Sequence, residues 1–170
     1  AETLLNEEHV FLQYVAEMLP IIGGEVGARK ELLKAGQRVA LGNTYLVKGI
    51  REASADTAYM TDRLALLEGH VRSAVVQYKA AAEGLETISS KDIPVEYQQS
   101  FEDIRILFAT FIDDMDDMVS LIDTVQLVFG SEDFRRYLVV FQNSRELRAT
   151  GGFMGSFAVV DVQKGKIVNI

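Results

Sequence analysis

Val125-Gln126-Leu127-Val128-Phe129-Gly130-Ser131-Glu132-Asp133-Phe134-Arg135-Arg136-Tyr137-Leu138-Val139-Val140-Phe141 contains the point at which the hydrophobic repeat of the chain changes. Up to Phe129, apolar residues recur every three or four positions; from Tyr137 to Phe141 they run without interruption. A 3.5-residue repeat lines one seam of a helix. A short, wholly apolar run is the pattern of a strand buried on both faces. Gly130 lies between the two, where a residue that tolerates left-handed backbone closes a helix. The change of repeat predicts a helical bundle over 1–130 and the start of a sheet domain over 131–170.

Working back from Gly130, Tyr97, Phe101, Ile104, Phe108, Phe111, Met115, Met118, Ile122, Val125 and Phe129 alternate by four and three, which predicts one helix over 95–129. Met60, Leu64, Leu67, Val71, Ala74, Tyr78, Ala81, Leu85 and Ile88 do the same and predict a helix over 54–89. Such helices are roughly 45–52 Å long. The link Ser89-Ser90-Lys91-Asp92-Ile93-Pro94 is short, which makes the pair antiparallel, and Pro94 suits a first helical turn. Nearer the start, Phe11, Val15, Met18 and Ile22 form one stripe, and the doublets Leu32/Leu33, Val39/Ala40 and Leu46/Val47 form another. Pro20 and Gly23-Gly24 interrupt them, giving either two helices, 3–19 and 26–51, or one kinked helix.

Working forward, residues 142–152 are a polar loop, Phe153 to Val162 a strand, Gln163-Lys164-Gly165 a turn and Lys166 to Ile170 its return. The expected fold class is therefore α+β: an antiparallel bundle of three to four long helices followed by the first strands of an α/β-like sheet. Three strands are few for a self-sufficient sheet layer. The expectation is a sheet domain truncated at Ile170 or completed by another chain.

Composition narrows function more than it defines it. Of 170 residues, 48% are apolar and 25% charged, and mean hydropathy is +0.09, which fits a packed chain rather than a disordered one. The absence of cysteine excludes disulfides, thiol catalysis and Cys-ligated metals. A net charge of −8 argues against nucleic acid as a partner. Charge is uneven: 1–90 carries −3, 91–133 carries −9 and 134–170 carries +4, as expected of two surfaces that face different partners or each other. No run of about 18 uncharged apolar residues and no signal-peptide pattern occurs, so membrane contact is expected only through a segment outside this sequence. The first residue is Ala1 rather than Met, which reads as a trimmed or processed start.

The string from Tyr137 through Gln142-Asn143, Glu146-Leu147-Arg148-Ala149-Thr150-Gly151-Gly152-Phe153 and a hairpin with Gly165 near its turn resembles a bacterial envelope family known as domain of unknown function 4012. The string covers about 35 residues, and the long helices before it resemble the region that precedes the motif in that family. The resemblance implies an outward-facing protein anchored by an N-terminal membrane helix. A fainter resemblance, to LytR-CpsA-Psr glycopolymer transferases, implies a polyprenyl pyrophosphate ligand with Arg148 at the pyrophosphate-binding position. The Asp that follows that arginine in the transferases has no counterpart, since Ala149-Thr150-Gly151 stands there.

The candidate ligand-binding residues are Gln142, Asn143, Arg145, Glu146, Arg148, Thr150, Gly151 and Gly152. Arg145 and Arg148 supply fork-shaped donors for an anion, Thr150 a hydroxyl, the glycine pair uncrowded N–H groups, and Glu146 an orienting carboxylate. The loop also follows the carboxyl end of an apolar strand, a common ligand position. The ordinary alternative is structural: amides capping a strand end, an ion pair and glycines at positive φ. Elsewhere, Asp113-Asp114-Met115-Asp116-Asp117 reads as a solvated acidic face, since a helix lacks the carbonyls of a calcium loop. His9 and His70 read as partly exposed surface histidines, and no metal, cofactor, nucleotide motif or framed nucleophile is expected. The expectation is an anionic glycan or polyprenyl-phosphate binder; the competing one is an interaction stalk that forms a homo-oligomer through an exposed apolar face.

Overall fold

The computed structural model describes residues 26–54, 59–143, 145 and 152–170. The expected helix 3–19, its break at Pro20 and Gly23-Gly24, and His9 lie outside the described residues. Three long helices, α1 (Val26–Ala53), α2 (Met60–Glu86) and α3 (Val95–Val128), are followed by a three-stranded antiparallel sheet in the order β1 (Arg135–Asn143), β2 (Phe153–Gln163), β3 (Lys166–Asn169). A 3-10 turn, Ser90–Asp92, joins α2 to α3. The fold is α+β, and every described helix precedes every described strand.

Two glycines bring α1 and α2 together. Along α1 the seam is Ala28, Leu32, Ala35, Val39, Gly42, Leu46 and Gly49, again at three and four. Of the three doublets, the first members turn inward: Leu32 and Val39 are buried and Leu46 is half-buried. Gly42 lets the Tyr78 ring lie where a Cβ would be 2.4 Å away, and Gly49 admits His70. The pair is stitched by Arg38 Nη1 to Gln77 Oε1 at 2.7 Å and Tyr78 OH to Asn43 Oδ1 at 2.6 Å. Tyr78 then meets Phe108 and Phe111 of α3 edge-on, at 6.0 and 5.2 Å between ring centroids. Such pairs add about 0.5–1.5 kcal/mol to the burial itself.

α3 packs with its stripe rotated toward α2. Phe101, Phe108, Met115 and Ile122 are buried as the repeat predicts, and so are Ile112 and Val119, one position off it. Ile104, Phe111, Met118 and Val125 are only half-buried. Lys79–Asp116 at 2.6 Å and Arg72–Asp123 at 2.7 Å bridge the two helices at the surface. Asp113, Asp114 and Asp117 are solvated.

The helix-to-sheet change falls where the repeat changes. The Ser131 N–H bonds Gln126 O at 3.0 Å and the Gly130 N–H bonds Leu127 O at 3.3 Å, with Gly130 at φ +65°. This is a Schellman closure, and it requires a residue at ease in left-handed backbone. The β2–β3 turn docks on the same corner. The Lys164 N–H reaches Gly130 O at 2.8 Å, and the Gly165 N–H reaches Phe129 O at 2.9 Å.

Three features differ from the sequence expectation. The second described helix runs Met60–Glu86 rather than 54–89, with Tyr59 extended ahead of it. Pro94 precedes the first turn of α3 instead of lying within it, and its carbonyl accepts from the Tyr97 N–H at 2.8 Å. The largest correction concerns Tyr137–Phe141, expected buried on both faces. Leu138 is 64% exposed and Phe141 56%, because no described helix packs along either face of the hairpin.

Candidate ligand loop at the tip of the hairpin

Register decides what the tip presents. Tyr137 pairs with Val160, Val139 with Ala158 and Phe141 with Ser156, after which Gln142 faces Met154 and Asn143 faces Phe153. Gly155 is skipped, so a bulge sits where β1 and β2 approach the loop, a device that re-aims side chains. Beyond it the two ends of the loop converge. A Cβ on Gly152 would stand 2.8 Å from Asn143 O and 2.9 Å from Gln142 Nε2, so only glycine fits against these groups. Asn143 Oδ1 accepts the Arg145 N–H at 3.1 Å, an Asx turn that starts the loop. Arg145 is exposed.

Of the eight candidate residues, Gln142, Asn143 and Gly152 are thus brought together, and Arg145 follows them. Glu146, Arg148, Thr150 and Gly151 lie outside the described residues. Two surface clefts form elsewhere. One of about 220 Å³ lies between α2 and α3 beside Leu85, Arg105 and Phe108. The other, about 400 Å³, lies at the junction of bundle and sheet beside Glu68, Asp123, Asp133 and Arg135. Among the described residues no group of three or more His, Asp or Glu is arranged to hold a metal ion.

The base of the sheet carries a polar cluster that sequence reading did not single out. Asp161 is 3% exposed and takes two bonds from Arg136, at 2.7 and 3.0 Å, and one from Asn169 Nδ2 at 3.3 Å. The Arg136 hydrogen bonds hold the Asp161 carboxyl below the usual carboxylate range against its burial, with Asn169 adding to the effect. Nearby, Tyr137 OH donates to Val128 O, Arg135 Nε donates to Leu127 O at 3.1 Å, and Lys164 and Lys166 stand over the Tyr59 ring. A signal existed: Asp161 interrupts the apolar sequence Phe157-Ala158-Val159-Val160, although its place opposite Arg136 is set by the register of β1 on β2. The cluster fastens the sheet to the bundle end.

His70 is partly exposed, as expected, with 16% of its side chain accessible and Nε2 2.8 Å from Glu52 Oε2. That bond is the main cause of a lowered Glu52 pKa; burial opposes it and Lys48 assists it.

Residues 132–170 match the model of the family described as Protein of unknown function (DUF4012). The match covers β1, the candidate loop, β2 and β3, and stops short of the helices. No curated protein and no solved structure matches the chain. No described helix is long and apolar enough to cross a membrane.

Proposed function

We propose that the hairpin tip binds an anionic, lipid-linked glycan, and that the chain belongs to an extracytoplasmic envelope protein anchored in the membrane by another segment. The observation that carries this reading is the fixed base of the loop: Gln142 and Asn143 close on Gly152, and the Asn143 carboxamide holds the Arg145 amide. A loop so anchored presents Arg145 at low ordering cost, and Arg148 follows three residues later in the sequence. Charge supports it, because 134–170 carries +4 while the chain as a whole carries −8. The resemblance to LytR-type transferases supports a pyrophosphate as the anion. No reaction is assigned, since the carboxylate that follows the arginine in those enzymes is replaced by Ala149-Thr150-Gly151.

The test is calorimetry of the whole chain with farnesyl pyrophosphate. Binding is expected for the wild type and is lost in Arg148→Ala. Absence of heat with the wild-type protein, or an Arg148→Ala variant that binds equally well, overturns the reading.

A second reading, an interaction stalk, is favoured by the exposed strands. Leu138, Val140, Phe157 and Val159 share one face, and Tyr137, Val139 and Phe141 the other. Contiguous apolar patches of this kind mark partner surfaces. Sedimentation equilibrium separates the two: a dimer dissociated by Phe157→Lys supports the stalk, and a monomer at all concentrations refutes the homo-oligomer.

A further inference from the structure

We propose that the β2–β3 turn and the first turn of α2 form a site for a phosphoryl oxyanion, at the opposite end of the hairpin from the candidate loop. The ammonium groups of Lys164 and Lys166 stand 5.2 and 4.8 Å from the centre of the Tyr59 ring. Tyr59 precedes α2 and makes no side-chain cap, and the Arg63 N–H to Tyr59 O bond at 3.1 Å opens the helix. The N–H groups of Met60, Thr61 and Asp62 precede that bond and have no acceptor within the helix, the arrangement that draws anions to helix N-termini. The turn rests directly on this helix end. A Cβ on Gly165 would stand 3.0 Å from the Met60 Cβ and 3.7 Å from the Thr61 methyl.

Two observations besides the helix terminus point to an anion. Thr61, at this same contact, is 1% exposed, and its hydroxyl is the one buried side-chain polar atom without a hydrogen-bond partner among the described residues. A hydroxyl left so is costly, and a ligand oxygen would offset the cost. The second observation is the lysine pair. Both hold like charges on one neutral ring, and among the described residues neither has a carboxylate partner; Asp62 is exposed and pairs with neither. The ring attracts each cation but leaves their mutual repulsion uncancelled. Nor does the end of α3 hold them, because its carbonyls are taken by other donors. Leu127 O accepts from Arg135 Nε, Val128 O from Tyr137 OH, Phe129 O from the Gly165 N–H and Gly130 O from the Lys164 N–H. The last two bonds also fix the turn, which lowers the ordering cost of binding. A phosphoryl group has enough acceptor oxygens to meet two ammonium groups and a helix N-terminus together.

Amide NMR titration of the whole chain with inorganic phosphate, at constant ionic strength, tests the site. The signals of Met60, Thr61 and Gly165 are expected to shift. The shifts are expected to be lost when Lys164→Gln and Lys166→Gln are combined, weakened in Thr61→Val, and kept in Arg148→Ala, which separates this site from the hairpin tip. Co-sedimentation with vesicles of phosphatidylglycerol, against phosphatidylcholine, distinguishes the sources of the phosphoryl group. Binding that needs both lysines assigns a lipid headgroup, and a positive titration without it assigns a soluble phosphate. Absence of shifts at these amides, or shifts undiminished in the double lysine variant, would overturn the proposal. Shifts confined to Asn143 and Gly152 would overturn it too, while leaving the reading of the tip intact.

Discussion

Gly49→Ala tests how closely α1 and α2 approach. The new methyl would stand 2.7 Å from the Cβ of His70 and 3.3 Å from its Cγ. A Cβ is fixed to its backbone, so no rotamer relieves the clash and the helices must part locally by roughly 1 Å to reach carbon–carbon contact distance. Alanine favours the helix over glycine by about 1 kcal/mol. Overpacking in an interface costs about 1–3 kcal/mol. The net expectation is a loss of up to about 2 kcal/mol.

Gly69→Ala supplies the reference. Gly69 lies inside α2, is exposed, and a Cβ there meets nothing within 4 Å. It should gain the full propensity term of about 1 kcal/mol. Subtracting one variant from the other cancels propensity and leaves about 1–3 kcal/mol for the steric conflict. At about 2–4 °C per kcal/mol for a chain of this size, the two melting temperatures should differ by roughly 2–12 °C. Thermal unfolding by far-ultraviolet circular dichroism, with urea titration as a cross-check, reads this directly. If both variants raise Tm equally, the helices are not in contact at Gly49 and the account of the α1–α2 interface fails.

Other changes follow from single contacts. Thr61→Val removes a buried hydroxyl with no hydrogen-bond partner among the described residues at nearly constant volume, so urea unfolding should show a gain of about 1–2 kcal/mol; a loss means that the hydroxyl is satisfied. Gly130→Ala forces a Cβ to 2.7 Å from Asp133 O and 2.8 Å from Val162 O at φ +65°, so a loss of at least about 1–2 kcal/mol from the left-handed backbone alone is expected, and an unchanged Tm refutes the closure. The Glu52 pKa is lowered in the folded state, so its stabilisation is present above the unfolded value of about 4.3 and is lost as pH falls through the folded one. Melting between about pH 5 and 3 should therefore fall less steeply in Glu52→Gln than in the wild type; parallel acid limbs would rule the His70 bond out as a contributor.

The repeat made the architecture legible. α3 lies within a residue of its expected span, and Gly130 ends the helices because no other residue accepts that φ without cost. Strand positions were also legible, since the expected turn at Gln163-Lys164-Gly165 separates β2 from β3 within a residue of the observed strand ends. The start of α2 was not, because Met60 is helical but 39% exposed and the seam offers no apolar residue three or four positions before it to mark the boundary, Thr57 and Asp56 standing there. The loop was legible as a polar connection between two strands, while Asp161 was overlooked because one acid in an apolar strand acquires meaning only once its cross-strand partner is known.

The exposed hairpin and the exposed stripe of α1 share a cause. A helix advances 100° per residue, so adjacent positions such as Leu32 and Leu33 cannot both face one neighbour. Doublets at seven-residue intervals therefore call for two interfaces, and the described bundle satisfies the first through Leu32, Val39 and Leu46. A strand alternates faces at every residue, so five apolar positions in a row also call for two covering layers. In both elements the apolar residues per period exceed what one interface can bury. The sequence pattern thus measured how many partners each element needs, whereas burial among the described residues measures how many it has. Leu33, Val47, Leu138 and Phe157 mark the difference, and these are the positions where a covering segment or a second chain would lose accessibility first.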